Sequence, residues 1–329
     1  MPGSGRPRRH RPLRAGELVR VRSREEILST LDADGDLGGL PFMPEMLRYA
    51  GQEFRVQARA HKTCDTVTMT GTSRRLERTV HLAGLRCDGS AHGGCQAGCL
   101  LFWREEWLAR PGDPPLEPRP ALHSEETLRK AAVTTDADGE PVYRCQATRL
   151  PYASRHLSGF DPRQYVKDLW SGNVRLPALV RGLSITAFNK LQQLSRRLPR
   201  RLRFRDGDPY PFYRGTGDGK RTPAVPLSPG DLVEVRSRDE IMATLSPRNT
   251  NGGLWFDCEM LPYCGTRARV ARHVERIINE ATGRMMRLSD CVVLDGVVCT
   301  GRYRRFCPRA VTPYWRSAWL RRIDEPSGG

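Results

Sequence analysis

The sequence predicts a mainly β protein with some helix: two duplicated small SH3-like β-barrel modules joined by a partly helical, basic segment. Three observations carry this. A long stretch near the N-terminus recurs near the C-terminus. Each copy opens on a short alternating strand entered from a turn, and each closes on a tryptophan-rich segment. With 329 residues, 31 glycines and 25 prolines, the chain has the length for two or three cored domains and the turn content of short strands.

The repeat sets Gly16-Glu17-Leu18-Val19-Arg20-Val21 beside Gly230-Asp231-Leu232-Val233-Glu234-Val235. It runs without a gap through Gly38-Gly39-Leu40 against Gly252-Gly253-Leu254, then through Glu45, Met46 and Leu47 against Glu259, Met260 and Leu261. Cys87, Cys95, Trp103 and Trp107 later meet Cys299, Cys307, Trp315 and Trp319. Self-similarity of this length is a duplication.

Taken in order, each copy begins with an alternating strand. Ser23 and Ser237 then cap a short helix with acids in its first turn, where the helix dipole favours them. Strands follow at Glu53–Arg59 and Val80–Leu85, and at Arg267–Val274 and Cys291–Val298. The polar residues shared by both copies (Arg22/Arg236, Glu45/Glu259, Tyr49/Tyr263, Arg55/Arg269) read as structural, with a buried Glu–Arg pair bracing each barrel.

The organisation expected is a disordered basic arm over 1–15, a first module with a Cys/His metal site over 16–110, a linker and amphipathic helical segment over 111–229, a second module with a four-cysteine site over 230–323, and a disordered tail over 324–329. Within the joining segment, Ser124 starts a short helix, and Asp161-Pro162 opens another that ends before Gly172. From Arg175 to Leu198, Leu176, Leu179, Val180, Leu183, Leu191, Leu194 and Leu198 recur at helical spacing. The expected packing lays this stripe across the two barrels and leaves the arginine cluster in water.

The candidate chemistry is in the cysteines. The first copy holds Cys64, Cys87, Cys95 and Cys99, with His61 and His92 each three residues from a thiol. The second holds Cys264, Cys291, Cys299 and Cys307. Only two of the four positions are equivalent between copies, yet each copy keeps four. A tetrahedral zinc or an iron–sulfur cluster would hold that count, whereas cysteines that merely fill a core would not. The choice between the two metals stays open. Cys258 reads as core or site-adjacent, and Cys145 as a spare thiol.

The motifs His61-Lys62-Thr63-Cys64-Asp65, Cys87-Asp88-Gly89-Ser90-Ala91-His92-Gly93-Gly94-Cys95-Gln96-Ala97-Gly98-Cys99 and Phe306-Cys307-Pro308-Arg309 resemble those of a widespread bacterial group of duplicated cysteine-rich proteins. The resemblance spans nearly the whole chain. It implies no activity and assigns no catalytic residue.

The net charge of +17, from 54 basic and 37 acidic residues, favours an acidic partner such as a carrier protein or nucleic acid, and peripheral membrane contact through Arg175–Arg205. No apolar run reaches the ~20 residues of a transmembrane segment. The basic start lacks the apolar stretch of a secretion signal. A cytoplasmic location follows, in which ten cysteines suit metal rather than disulfides. There is no phosphate-binding glycine loop, since Gly215–Lys220 lacks the spacing. There is also no G-x-S-x-G elbow and no βαβ pattern. The expected function is therefore a cytoplasmic metalloprotein with two cysteine-ligated centres, accessory or catalytic in a biosynthetic pathway. The alternatives are a zinc-stapled nucleic-acid-binding protein and a membrane-surface adaptor.

Overall fold

A computed structural model describes residues 11–68, 72–117 and 120–323. Most of the expected N-terminal arm and all of the expected tail fall outside these residues.

The first sheet is antiparallel, with strands in the order Leu100–Arg104, Thr79–Arg86, Glu53–Arg59, Leu18–Val21, Leu108–Ala109. Val19 and Val21 point into the core while Leu18 and Arg20 face out, the two-residue period of a half-buried strand. The two edge strands are separated in sequence by one 3₁₀ turn, Glu105–Trp107. This sheet curls into a half-barrel. Trp103 and Trp107 are fully buried inside it, and the Phe42 ring meets Trp107 edge-on at 5.0 Å.

The second five-stranded sheet runs Trp315–Arg316, Cys291–Leu294, Arg267–His273, Leu232–Val235, Leu320–Arg322. It does not curl and close. Its third strand in sequence ends at Leu294, where Val298 was expected, and its next strand has two residues where the first sheet has five. The expected pair of duplicated SH3-like barrels is thus corrected. The architecture is mixed α/β, with one curled half-barrel, a second open sheet and several two- and three-stranded pieces, and the sequence repeat does not return as a repeat of barrels.

The helices form where their caps predict. Ser23 Oγ accepts from Glu26 N while Ser23 N donates to the Glu26 carboxylate, and Ser237 does the same with Glu240, closing reciprocal capping boxes. Ser124 caps helix Glu125–Ala131. Pro162 is the N-cap of Arg163–Trp170, one position earlier than expected.

The long helix spans Leu176–Ser195, but its stripe lies the other way round from expectation. Leu179 is buried, whereas Leu176, Val180, Leu183, Leu191 and Leu194 are exposed. Gly182 faces the body of the molecule, against the Phe306 ring, where a Cβ would sit 2.2 Å from the ring edge.

The expected Glu–Arg braces are absent as drawn. Arg22 pairs with Glu26 at 2.8 Å, and Arg55 donates to the Gly16 carbonyl at 3.0 Å. Glu45 faces a thiol and an imidazole instead.

Candidate metal centre

Three elements bring the site together. Glu45 stands on the 3₁₀ turn Pro44–Tyr49. Cys87 immediately follows strand Thr79–Arg86. His92 lies on the glycine-rich loop, whose ends are tied by Cys87 N donating to Cys99 O at 2.8 Å. Inside the loop, His92 N and Gly94 N both donate to Gly89 O. Gly89 has φ +74°, and a Cβ there would lie 2.2 Å from the Cys95 carbonyl oxygen. Only glycine permits so tight a fold.

The result is a buried trio. Cys87 Sγ lies 3.3 Å from His92 Nε2 and 3.5 Å from Glu45 Oε1, and His92 Nδ1 lies 3.8 Å from Glu45 Oε1. Their ligand atoms fall within 4.8 Å of one another, the one such group of three or more among the described residues. Glu45 Oε2 and His92 Nδ1 are buried without any hydrogen-bond partner. An orphaned carboxylate oxygen in a protein interior is costly and calls for an explanation. Burial raises the Glu45 carboxyl and the Cys87 thiol above their ordinary ranges and lowers His92 to about 4. The trio therefore resists holding charge unless a cation is present.

A small cavity of about 30 Å³ adjoins it, lined by Cys87, His92, Cys95, Cys99 and Cys145 among others. Cys145 arrives through an imitation of strand pairing. The Gln146 side-chain amide donates to Phe102 O and accepts from Phe102 N, both at 2.8 Å, along the free edge of strand Leu100–Arg104. That contact seats the N-cap of helix Gln146–Ala153, which is Cys145, beside the glycine loop. Burial raises the Cys99 thiol to about 11 and Cys145 to about 12.

The other expected ligands are dispersed. Cys64, Cys87, Cys95 and Cys99 do not form one ligand group. Cys95 Sγ accepts from Ile278 N at 3.4 Å. His61 is buried 3.2 Å from Asp168, which also binds the buried Lys62 ammonium. This network pins helix Arg163–Trp170. Cys64 crosses to the other half, where its thiol and that of Cys307 share a hydrogen bond at 3.4 Å and its N–H donates to Cys307 Sγ at 3.1 Å. Those hydrogen bonds lower Cys307, to about 7, against the effect of burial. Cys299 lies close enough to Cys64 and Cys307 that a second thiolate among them is disfavoured. Cys291 donates to Ser289 O at 3.3 Å, and Cys264 packs against the second core.

Cys64, Cys99 and Cys299 line a larger cavity of about 990 Å³. The long helix supplies part of its wall through Thr186, Asn189, Lys190, Gln193 and Arg196. Ile278, Glu280, Cys99 and Arg309 line both cavities, so the trio lies one layer of side chains behind the larger space.

Sequence reasoning missed Glu45 and Cys145. Glu45 was visible as a carboxylate retained in both copies, and its pairing with Cys87 was not. Compared with family models, with curated proteins and with solved structures, the chain matches none of them. Among the described residues, no helix is long and apolar enough to cross a membrane.

Proposed function

We propose that this protein is a metalloprotein that holds a zinc ion on Glu45, Cys87 and His92. One observation carries the reading: three ligand atoms of three chemical kinds, on buried Glu45 and His92 and half-buried Cys87, share one 4.8 Å neighbourhood, and two of the side chains have polar atoms that nothing else satisfies. A mixed oxygen, nitrogen and sulfur set suits zinc, whereas iron–sulfur clusters are held mainly by thiolates, with two imidazoles replacing two of them in some centres. Glu45, Cys87 and His92 would hold the cation beside the thiol-lined cavity, with Cys87 as its thiolate. When bound, zinc supplies Lewis-acid activation. This chain's own part is to exclude water and to orient Cys87 and His92 through the Gly89 turn.

A second thiol centre is supported by Cys64 and Cys307 in contact across the two halves, with Cys299 near them on the wall of the larger cavity. Lys190, Arg196, Arg304 and Arg305 on that wall favour an anionic substrate or acidic partner. The ten free cysteines fit a reducing, cytoplasmic setting.

Elemental analysis of purified protein tests this. We expect zinc in the native chain, with the first site's share lost in Cys87→Ser and in His92→Ala and the second's lost in Cys307→Ser. Zinc content unchanged in Cys87→Ser, or a brown protein carrying iron and sulfide, would overturn the zinc assignment.

A further inference from the structure

The long helix is placed inside out. In a water-soluble body an amphipathic helix turns its apolar stripe inward. Here Thr186, Asn189, Lys190, Gln193 and Arg196 face the large cavity, and the leucines face away from it. Leu176, Val180, Leu183, Leu191, Leu194 and Leu198 are all exposed, with Leu191 at 65 % and Leu176 at 60 %. Their spacing of three and four residues keeps them on one side of the helix. Exposure continues past the helix at Leu202 and Phe204. Single exposed leucines need no explanation, but a continuous row of them marks a binding face.

Charge decides what that face meets. From Arg163 to Arg205 the chain carries eleven Lys or Arg and a single acid, Asp168, and that acid is buried against Lys62. Arg197, Arg200, Arg201, Arg203 and Arg205 follow the leucine row in sequence, while Arg196 turns to the cavity and to Asp208. A second copy would bring the same positive charge to the contact, which repels. A nucleic acid would use the arginines and leave the leucines without a role. An anionic bilayer takes both, because acyl chains accept the apolar row and headgroups pair with the cations.

We infer that helix Leu176–Ser195 and the arginine run after it form a docking surface for an anionic lipid membrane, which the protein binds peripherally with the cavity on the helix's opposite side. Because the leucines are exposed, replacing them does not disturb the core, and an unchanged thermal melt verifies this.

The test is flotation of the full chain with two kinds of vesicle: phosphatidylcholine alone, and phosphatidylcholine mixed equally with phosphatidylglycerol. Binding is expected to the mixed vesicles only and to weaken as salt rises. It should fall at least ~10-fold in the triple variant Val180→Ser, Leu191→Ser, Leu194→Ser, and again when Arg197, Arg200 and Arg201 become Gln. No retention on the mixed vesicles would overturn the inference. So would retention that survives the triple variant, as expected of a surface for nucleic acid, or a native chain that elutes as a dimer dissociated by that variant.

Discussion

Glu45 and Glu259 stand on matching 3₁₀ turns, Pro44–Tyr49 and Cys258–Tyr263, and both are buried. Their surroundings differ completely. Glu259 accepts from Thr300 N at 3.1 Å, Thr300 Oγ1 at 2.8 Å and Tyr303 N at 2.5 Å, so its charge is spent on the loop that carries Cys299. Glu45 has Cys87 and His92 beside it and one oxygen with no partner. His92 aligns with Arg304, which pairs with Asp257 rather than with the glutamate. One carboxylate thus organises a loop, and the other keeps an oxygen that no protein group satisfies, which is the ground for proposing a cation there.

The largest way to break this comparison is to neutralise each glutamate in turn. Glu259→Ala strips three donors of a buried acceptor, and urea denaturation should show a loss of about 3 kcal/mol. Glu45→Gln in chelator-treated protein should cost nothing measurable, or stabilise, because it removes a carboxylate that burial disfavours. Equal losses at the two positions would mean that the two sites do the same work.

The pH dependence sharpens the contrast further. His92 titrates near 6.5 when unfolded and is lowered by burial to about 4 in the fold. Between these values the unfolded chain binds the extra proton, so stability is intact above pH 6.5 and drains as pH falls towards 4. The shift corresponds to a contribution on the order of 3 kcal/mol. His81, buried and also lowered to about 4, acts over the same window, so the measurement is the difference between metal-free native protein and His92→Gln across pH 4 to 6.5. Identical slopes would place His92 outside the buried trio.

How much of this could be read beforehand follows from the range of each interaction. Caps at Ser23, Ser237 and Ser124 are settled within four residues, and the strand Glu53–Arg59 was legible to the residue. Cys87 and His92, five positions apart on a glycine loop, were legible as candidate ligands because the loop itself brings them together. Glu45 and Cys145 were not, since each reaches the site through a separate element, and Cys145 depends on a glutamine acting as a strand. Cys64 was grouped with its sequence neighbours but meets Cys307 on the opposite half. Helical periodicity announced a leucine row but carried no information about which side the body would occupy. The barrels failed for a related reason: alternation predicts strands, not whether they are long enough to close.

The most direct test of the account is to titrate chelator-treated protein with cobalt(II), reading the sulfur-to-cobalt charge-transfer band in the near ultraviolet together with the visible ligand-field bands. The account predicts that the first site's contribution, isolated in a Cys307→Ser background, appears at one equivalent of cobalt, disappears in Cys87→Ser, weakens in Glu45→Gln and survives intact in Glu259→Gln. A spectrum indifferent to Cys87 and Glu45, or one that vanishes only with Glu259, would contradict it.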